Sequence, residues 1–101
     1  MVEARFKRDG VRNTLTVTGH ATGSEATCAA VSTIVQAMET AIDYLNPPDW
    51  SKRLKPGDVE FCAEGPGVCA AFEIVKYSFM RLAAADPERV RVIEEEDNDG
   101  I

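Results

Sequence analysis

The chain has 101 residues and only one histidine, one tryptophan and three cysteines. Three is an odd number for a disulfide framework, and Cys28, Cys62 and Cys69 show neither CxxC nor CxxxxC spacing. With a single imidazole to join them, these thiols do not make a structural zinc site, which takes four nitrogen or sulfur ligands. No metal and no other cofactor is expected. No run approaches the ~20 apolar residues that a membrane-spanning helix needs, and Met1 leads straight into Val-Glu-Ala-Arg-Phe-Lys-Arg, without an apolar signal core. The expected compartment is therefore the cytoplasm, where the three thiols stay free, and no membrane partner is expected. Cationic residues are also scarce. Eleven Lys and Arg stand against seventeen Asp and Glu, a formal charge of -6, so the chain lacks the basic face with which a nucleic-acid binder displaces counterions. An acidic surface suits a basic polypeptide partner instead.

What the chain does have is a composition 45% hydrophobic and 28% charged, that of an ordinary globular domain. Its length suffices for one core without metal or disulfide staples. Residues 2–8 and 11–18 alternate as a β-hairpin. Asp9-Gly10 is expected as its two-residue turn, with Arg8 opposite Val11, Phe6 facing Asn13, Ala4 facing Leu15 and Val2 facing Val17. Those side chains form an apolar face, and Glu3, Arg5, Lys7, Arg12, Thr14 and Thr16 form a polar one. The period then changes. Cys28, Val31, Val35, Met38, Ile42 and Leu45 follow a 3-4-3-4-3 spacing, one stripe of an amphipathic helix. Thr22-Gly23-Ser24-Glu25 opens it as a capping box, with Ser24 the alternative cap, and Asn46-Pro47-Pro48 closes it.

Residues 46–57, rich in proline, read as a loop. Val59, Phe61 and Ala63 mark a half-buried strand. Pro66 suits a first helical position, and Val68, Phe72, Val75, Phe79 and Leu82 mark a second helix to about Ala85. Val90 and Val92 give a short last strand. The expected fold is α/β in the α+β sense: a single domain over residues 1–93, ordered ββαβαβ, with both helices on one face of a mixed sheet. Residues 94–101 are expected as a flexible acidic tail.

Chemistry concentrates in one stretch, Gly19-His20-Ala21 followed by Cys28-Ala29-Ala30-Val31-Ser32. The thiolate is the reactive form of cysteine. A helix start contributes only about 0.3–1 kcal/mol toward ionising it at an exposed site, so a nucleophilic Cys28 needs an imidazole partner, and His20 is the sole candidate. Strict alternation through Gly19 would send His20 to the polar face with Thr16 and Thr18. A bulge or turn at Gly19 is required to redirect it. The small Ala29 and Ala30 leave room for a substrate backbone, and backbone N–H groups around Cys28 are candidates for an oxyanion hole. Ser32, one turn on, is placed to bond thiolate or substrate, and Glu25 is the nearest carboxylate for orienting His20. Each residue also has a plainer reading. A cysteine on an apolar stripe is commonly a small buried hydrophobe, the reading adopted for Cys62 and Cys69. Ser32 can bond back to a carbonyl, and Glu25 can be a capping partner alone.

The two strings together resemble the ribosomal-processing cysteine protease (Prp) family, and the likeness extends over nearly the whole chain. The resemblance implies a catalytic dyad of His20 and Cys28, with Ser32 in the active site. Gly19, Ala21 and Ala29, beside these residues in the two strings, and Gly23 between the strings are expected around the substrate. It further implies a homodimer that removes an N-terminal extension from large-subunit ribosomal protein number twenty-seven, or trims phage capsid or scaffold proteins. The cut segment in that family carries aromatics, then a small residue, just before a basic stretch. Here the loop between histidine and cysteine is shorter, with Gly23 its only glycine, and Glu25 replaces an aspartate usual three residues before the cysteine. A catalytically silent dimeric module that grips an extended peptide is the alternative reading. A redox-sensing thiol is a third, with no resolving cysteine nearby in sequence.

Overall fold

The computed structural model describes residues 1–96. A hairpin of β1 (Val2–Asp9) and β2 (Arg12–Thr18) precedes α1 (Glu25–Leu45). A second hairpin of β3 (Asp49–Lys55) and β4 (Asp58–Glu64) leads to α2 (Val68–Ala85) and then β5 (Val90–Glu96). The strands form one mixed sheet in the order β3-β4-β2-β1-β5, with β5 parallel to β1 and the other pairs antiparallel. The α+β class and the single domain are as expected, with one strand more.

The first hairpin keeps its expected faces but not its expected register. Asp9 pairs with Arg12, so the turn is Gly10-Val11, and Phe6 faces Leu15 while Ala4 faces Val17. Gly10 alone of the two turn residues has positive φ, at 63°, the pattern of a type II′ rather than a type I′ turn. The shift is two residues, one full pleat, so no side chain changes face. Val2, Ala4, Phe6, Leu15, Val17, Phe61, Ala63 and Val90 are buried together with Met38 and Ile42 of α1 and Val68, Phe72, Val75 and Phe79 of α2. The rings of Phe6 and Phe79 meet edge to face, 6.1 Å apart.

The expected loop over residues 46–57 contains β3, which the sequence reading missed. All seven residues of β3 are exposed. An edge strand with no buried side shows no alternation, and its Lys52, Arg53 and Lys55 are typical of an edge protected by charge. The last strand is also longer than expected. Glu94 to Glu96 pair with Phe6 to Arg8 of β1, so the expected acidic tail does not begin at residue 94, and residues 97–101 lie outside the described part.

Ser24 caps α1, its hydroxyl accepting from the Thr27 N–H at 3.1 Å. Asn46 ends the helix in a left-handed conformation, its N–H bonded to the Ile42 carbonyl. Opposite charges pair along the uncovered face of the sheet, as in Arg5 with Glu3 and Arg53 with Asp58. Neither described helix is long and apolar enough to cross a membrane.

Candidate functional site

The stripe of α1 divides into two functions. Met38 and Ile42 are buried in the core, whereas Cys28 is exposed and Val31 and Val35 are half-buried. The first turns of α1 border a cleft of about 560 Å³, with Val31 and Val35 only partly covered by the core. Val2, Val17 and Val59 line it from the sheet, and Val31 and Val35 from the helix. Leu54 and Lys55 at the end of β3, with Pro56 and Gly57 of the β3–β4 turn, close it. An apolar stripe facing open volume is the usual construction of a small-ligand or peptide-side-chain site.

His20 and Cys28 both line this cleft. The conflict between strand alternation and a helix-side imidazole is resolved at Gly19. Its φ is +89°, and a β-carbon there would lie 2.1 Å from the Met1 carbonyl oxygen. Only glycine fits both the left-handed backbone and that approach. The bend, tied by the Gly19 N–H to the Gly57 carbonyl at 3.1 Å, carries His20 off the line of Thr16 and Thr18 and into the cleft. The imidazole then rests on the second turn, where Gly57 (φ +70°) presents no side chain.

Cys28 is the fourth residue of α1. Its thiol donates to the Ala21 carbonyl at 3.4 Å, and its own N–H bonds the Ser24 carbonyl at 3.1 Å. Since the Thr27 N–H is taken by the Ser24 hydroxyl, the N–H groups of Thr27 and Cys28 are committed to the helix start and do not form the expected oxyanion hole. Among the described residues no hydrogen bond joins His20 to Cys28. Ser32 lines the cleft one turn beyond Cys28, and Gly19 and Ala21 line it too. Gly23, Glu25 and Ala29 do not line it, and no hydrogen bond links Glu25 to His20. The carboxylate on the cleft is Glu39, paired with Lys52 of β3 at 2.5 Å.

The sequence reading missed this second wall, from Leu54 to Gly57 with Gln36 and Glu39, because it had no strand before the turn. The triplet Pro56-Gly57-Asp58 was the available hairpin signal. The other two cysteines stand elsewhere. Cys62 faces Thr14 on the uncovered side of the sheet. Cys69 contacts the Arg8 guanidinium at the start of α2.

No protein-family model and no curated protein matches the sequence. The fold matches solved structures over almost the full chain. The Prp ribosomal processing protease of S. aureus, solved with a covalently linked product peptide, superposes with a TM-score of 0.81 at 15% identity, over 94% of this chain and 100% of that one. Its complex with a substrate peptide gives 0.77 at 13% identity, with the same shares of the two chains covered. SMU.848 of Streptococcus mutans gives 0.75 at 24% identity, over 96% and 99% of the two chains. The chain thus has the fold of the Prp processing protease.

Proposed function

We propose that this protein is a cysteine endopeptidase, with Cys28 the nucleophile and His20 its general base and acid. One observation carries the reading: the single imidazole of the chain and the one exposed cysteine among the described residues open onto the same apolar cleft. In the reaction the Cys28 thiol gives up its bond to Ala21 and its proton passes to His20. The sulfur attacks the scissile carbonyl carbon, His20 returns the proton to the departing amine, and a thioester remains. Water, deprotonated by His20, then hydrolyses the thioester and restores the thiol. The Ser32 hydroxyl, one helical turn away, donates to substrate or thiolate. Glu25 takes no orienting part in this scheme.

The substrate is a polypeptide with an extended N-terminal segment in which aromatics and a small residue precede a basic stretch. Large-subunit ribosomal protein number twenty-seven, or a phage protein with a similar segment, meets that description. The fold shared with the peptide-bound S. aureus protease supports this reading, as does the acidic charge of the chain. The three thiols, all free, suit the cytoplasm. Ile74, Tyr77 and Met80, exposed along one side of α2, supply apolar surface for the second subunit of a homodimer.

The test is incubation with a peptide of aromatic, small, then basic residues, followed by mass spectrometry. Cleavage is expected from the wild type and is expected to fall about a thousandfold in Cys28→Ala and His20→Ala. Cleavage that persists in Cys28→Ala ends the assignment. A silent peptide-binding module is the second reading, favoured by the thiol's bond to Ala21 rather than to His20. Iodoacetamide separates the two. Cys28 labelling no faster than Cys62 and Cys69 at neutral pH selects the binder.

A further inference from the structure

The backbone between His20 and Cys28 is held from the α2–β5 connection by two residues the scheme above does not use. Asp86 caps the C-terminus of α2, and its carboxylate accepts from the Thr27 hydroxyl at 2.6 Å. Thr27 is 6% exposed and directly precedes Cys28. Its hydroxyl in turn accepts from Ser24 at 3.0 Å. Arg89 completes the connection. One guanidinium nitrogen bonds the Asp86 carboxylate at 3.2 Å, while its Nε donates to the Thr22 carbonyl at 3.1 Å. Two side chains from the α2–β5 connection thus fasten the loop at Thr22 and the first helical turn at Thr27.

We infer that Asp86 and Arg89 are positioning residues for the Cys28–His20 pair. They fix the segment from Ala21 to Thr27, which joins His20 to Cys28, so the distance between sulfur and imidazole is set by this clamp. The inference rests on the peptidase reading for its consequence in catalysis, but not for its mechanical content.

The geometry supports it in three ways. The segment is only seven residues long and leaves a strand by a left-handed glycine, so its conformation is not set by sheet pairing. Neither Asp86 nor Arg89 lines the cleft, so their contact with the site runs through the segment they hold. The contacts are also specific to a charged acceptor. An ionised carboxylate takes the Thr27 hydroxyl and the Arg89 guanidinium at once. An amide in its place can keep the first and loses the charge for the second.

Hydrogen exchange and kinetics on the full chain test this together, with Asp86→Asn and Thr27→Val as disrupting variants and Thr27→Ser as the conservative one. In the disrupting variants, amides of residues 21–27 are expected to exchange at least about tenfold faster while the sheet amides keep their protection, a local rather than global opening. The kcat for the test peptide is expected to fall about tenfold or more with KM nearly unchanged, because a loosened pair costs chemistry rather than binding. Thr27→Ser, which retains the hydroxyl, is expected to restore both values. Unchanged exchange in residues 21–27 overturns the clamp, and faster exchange with kcat unaltered overturns its positioning role for the Cys28–His20 pair. Faster exchange in the variants, with no cleavage by the wild type, leaves the clamp standing and removes the peptidase reading.

Discussion

The Nε2 of His20 lies 2.5 Å from the point where Gly57 would carry a β-carbon. The imidazole is therefore positioned by absence, resting on the bare backbone of the β3–β4 turn while Gly19 aims it from the other side. Any side chain at residue 57 has to move the ring or the turn.

Gly57→Ala is expected to lower peptide cleavage by about ten- to a hundredfold, since a misplacement near 1 Å costs about two orders of magnitude in an aligned reaction. Part of the change appears in stability, because φ at this residue is +70° and alanine is strained there. A comparison of kcat with the thermal midpoint separates the two effects. A variant that cleaves like the wild type would show that the imidazole does not act from this position.

How far the sequence foretold this arrangement depends on burial. Helix periods in α1 and α2 and alternation in β1, β2 and β4 were legible, since each element hides one side. β3 was not, because Asp49 to Lys55 hide nothing. The first hairpin turns at Gly10-Val11, one residue beyond the Asp9-Gly10 pair that the sequence favours. Both registers put Phe6 and Leu15 on the same face, so hydrophobic pattern alone does not distinguish them. The sequence required a bend at Gly19 but did not say what would hold it. The holder is Gly57, thirty-eight residues on and beside a strand whose exposed residues show no alternation. Ser24, the alternative to Thr22 as cap, is the residue that bonds Thr27. Long-range polar contacts such as Thr27 with Asp86 leave no periodic trace at all.

The core makes a plainer prediction. Phe79 is 0% exposed and meets Phe6 across the helix–sheet interface. Phe79→Ala is expected to cost about 3–5 kcal/mol, the transfer of a ring plus the cavity it leaves. That is a large share of the roughly 5–15 kcal/mol typical of a domain this size. Urea unfolding followed by circular dichroism measures it. A loss below about 1 kcal/mol would mean that α2 does not pack on the sheet as described.

Acid stability follows from the uncovered face. The Arg91 guanidinium bonded to Glu3, with Arg5 on its other oxygen at 2.8 Å, holds the Glu3 carboxyl below the ordinary glutamate range. A carboxyl lowered in the folded state binds its proton more readily in the unfolded chain. Its contribution is therefore fully present above the unfolded value, about 4.3, and fades as pH falls through the folded one. Glu3→Gln removes this contribution at every pH. The urea midpoint of the variant is accordingly expected to lie below that of the wild type at pH 7. The two midpoints are expected to converge as the pH is lowered below about 4. Because the guanidinium groups are exposed to solvent, the difference at pH 7 is expected to be small and to shrink in about 1 M salt. A midpoint difference that stays constant from neutral pH into acid would show that Glu3 is not held ionised by these arginines.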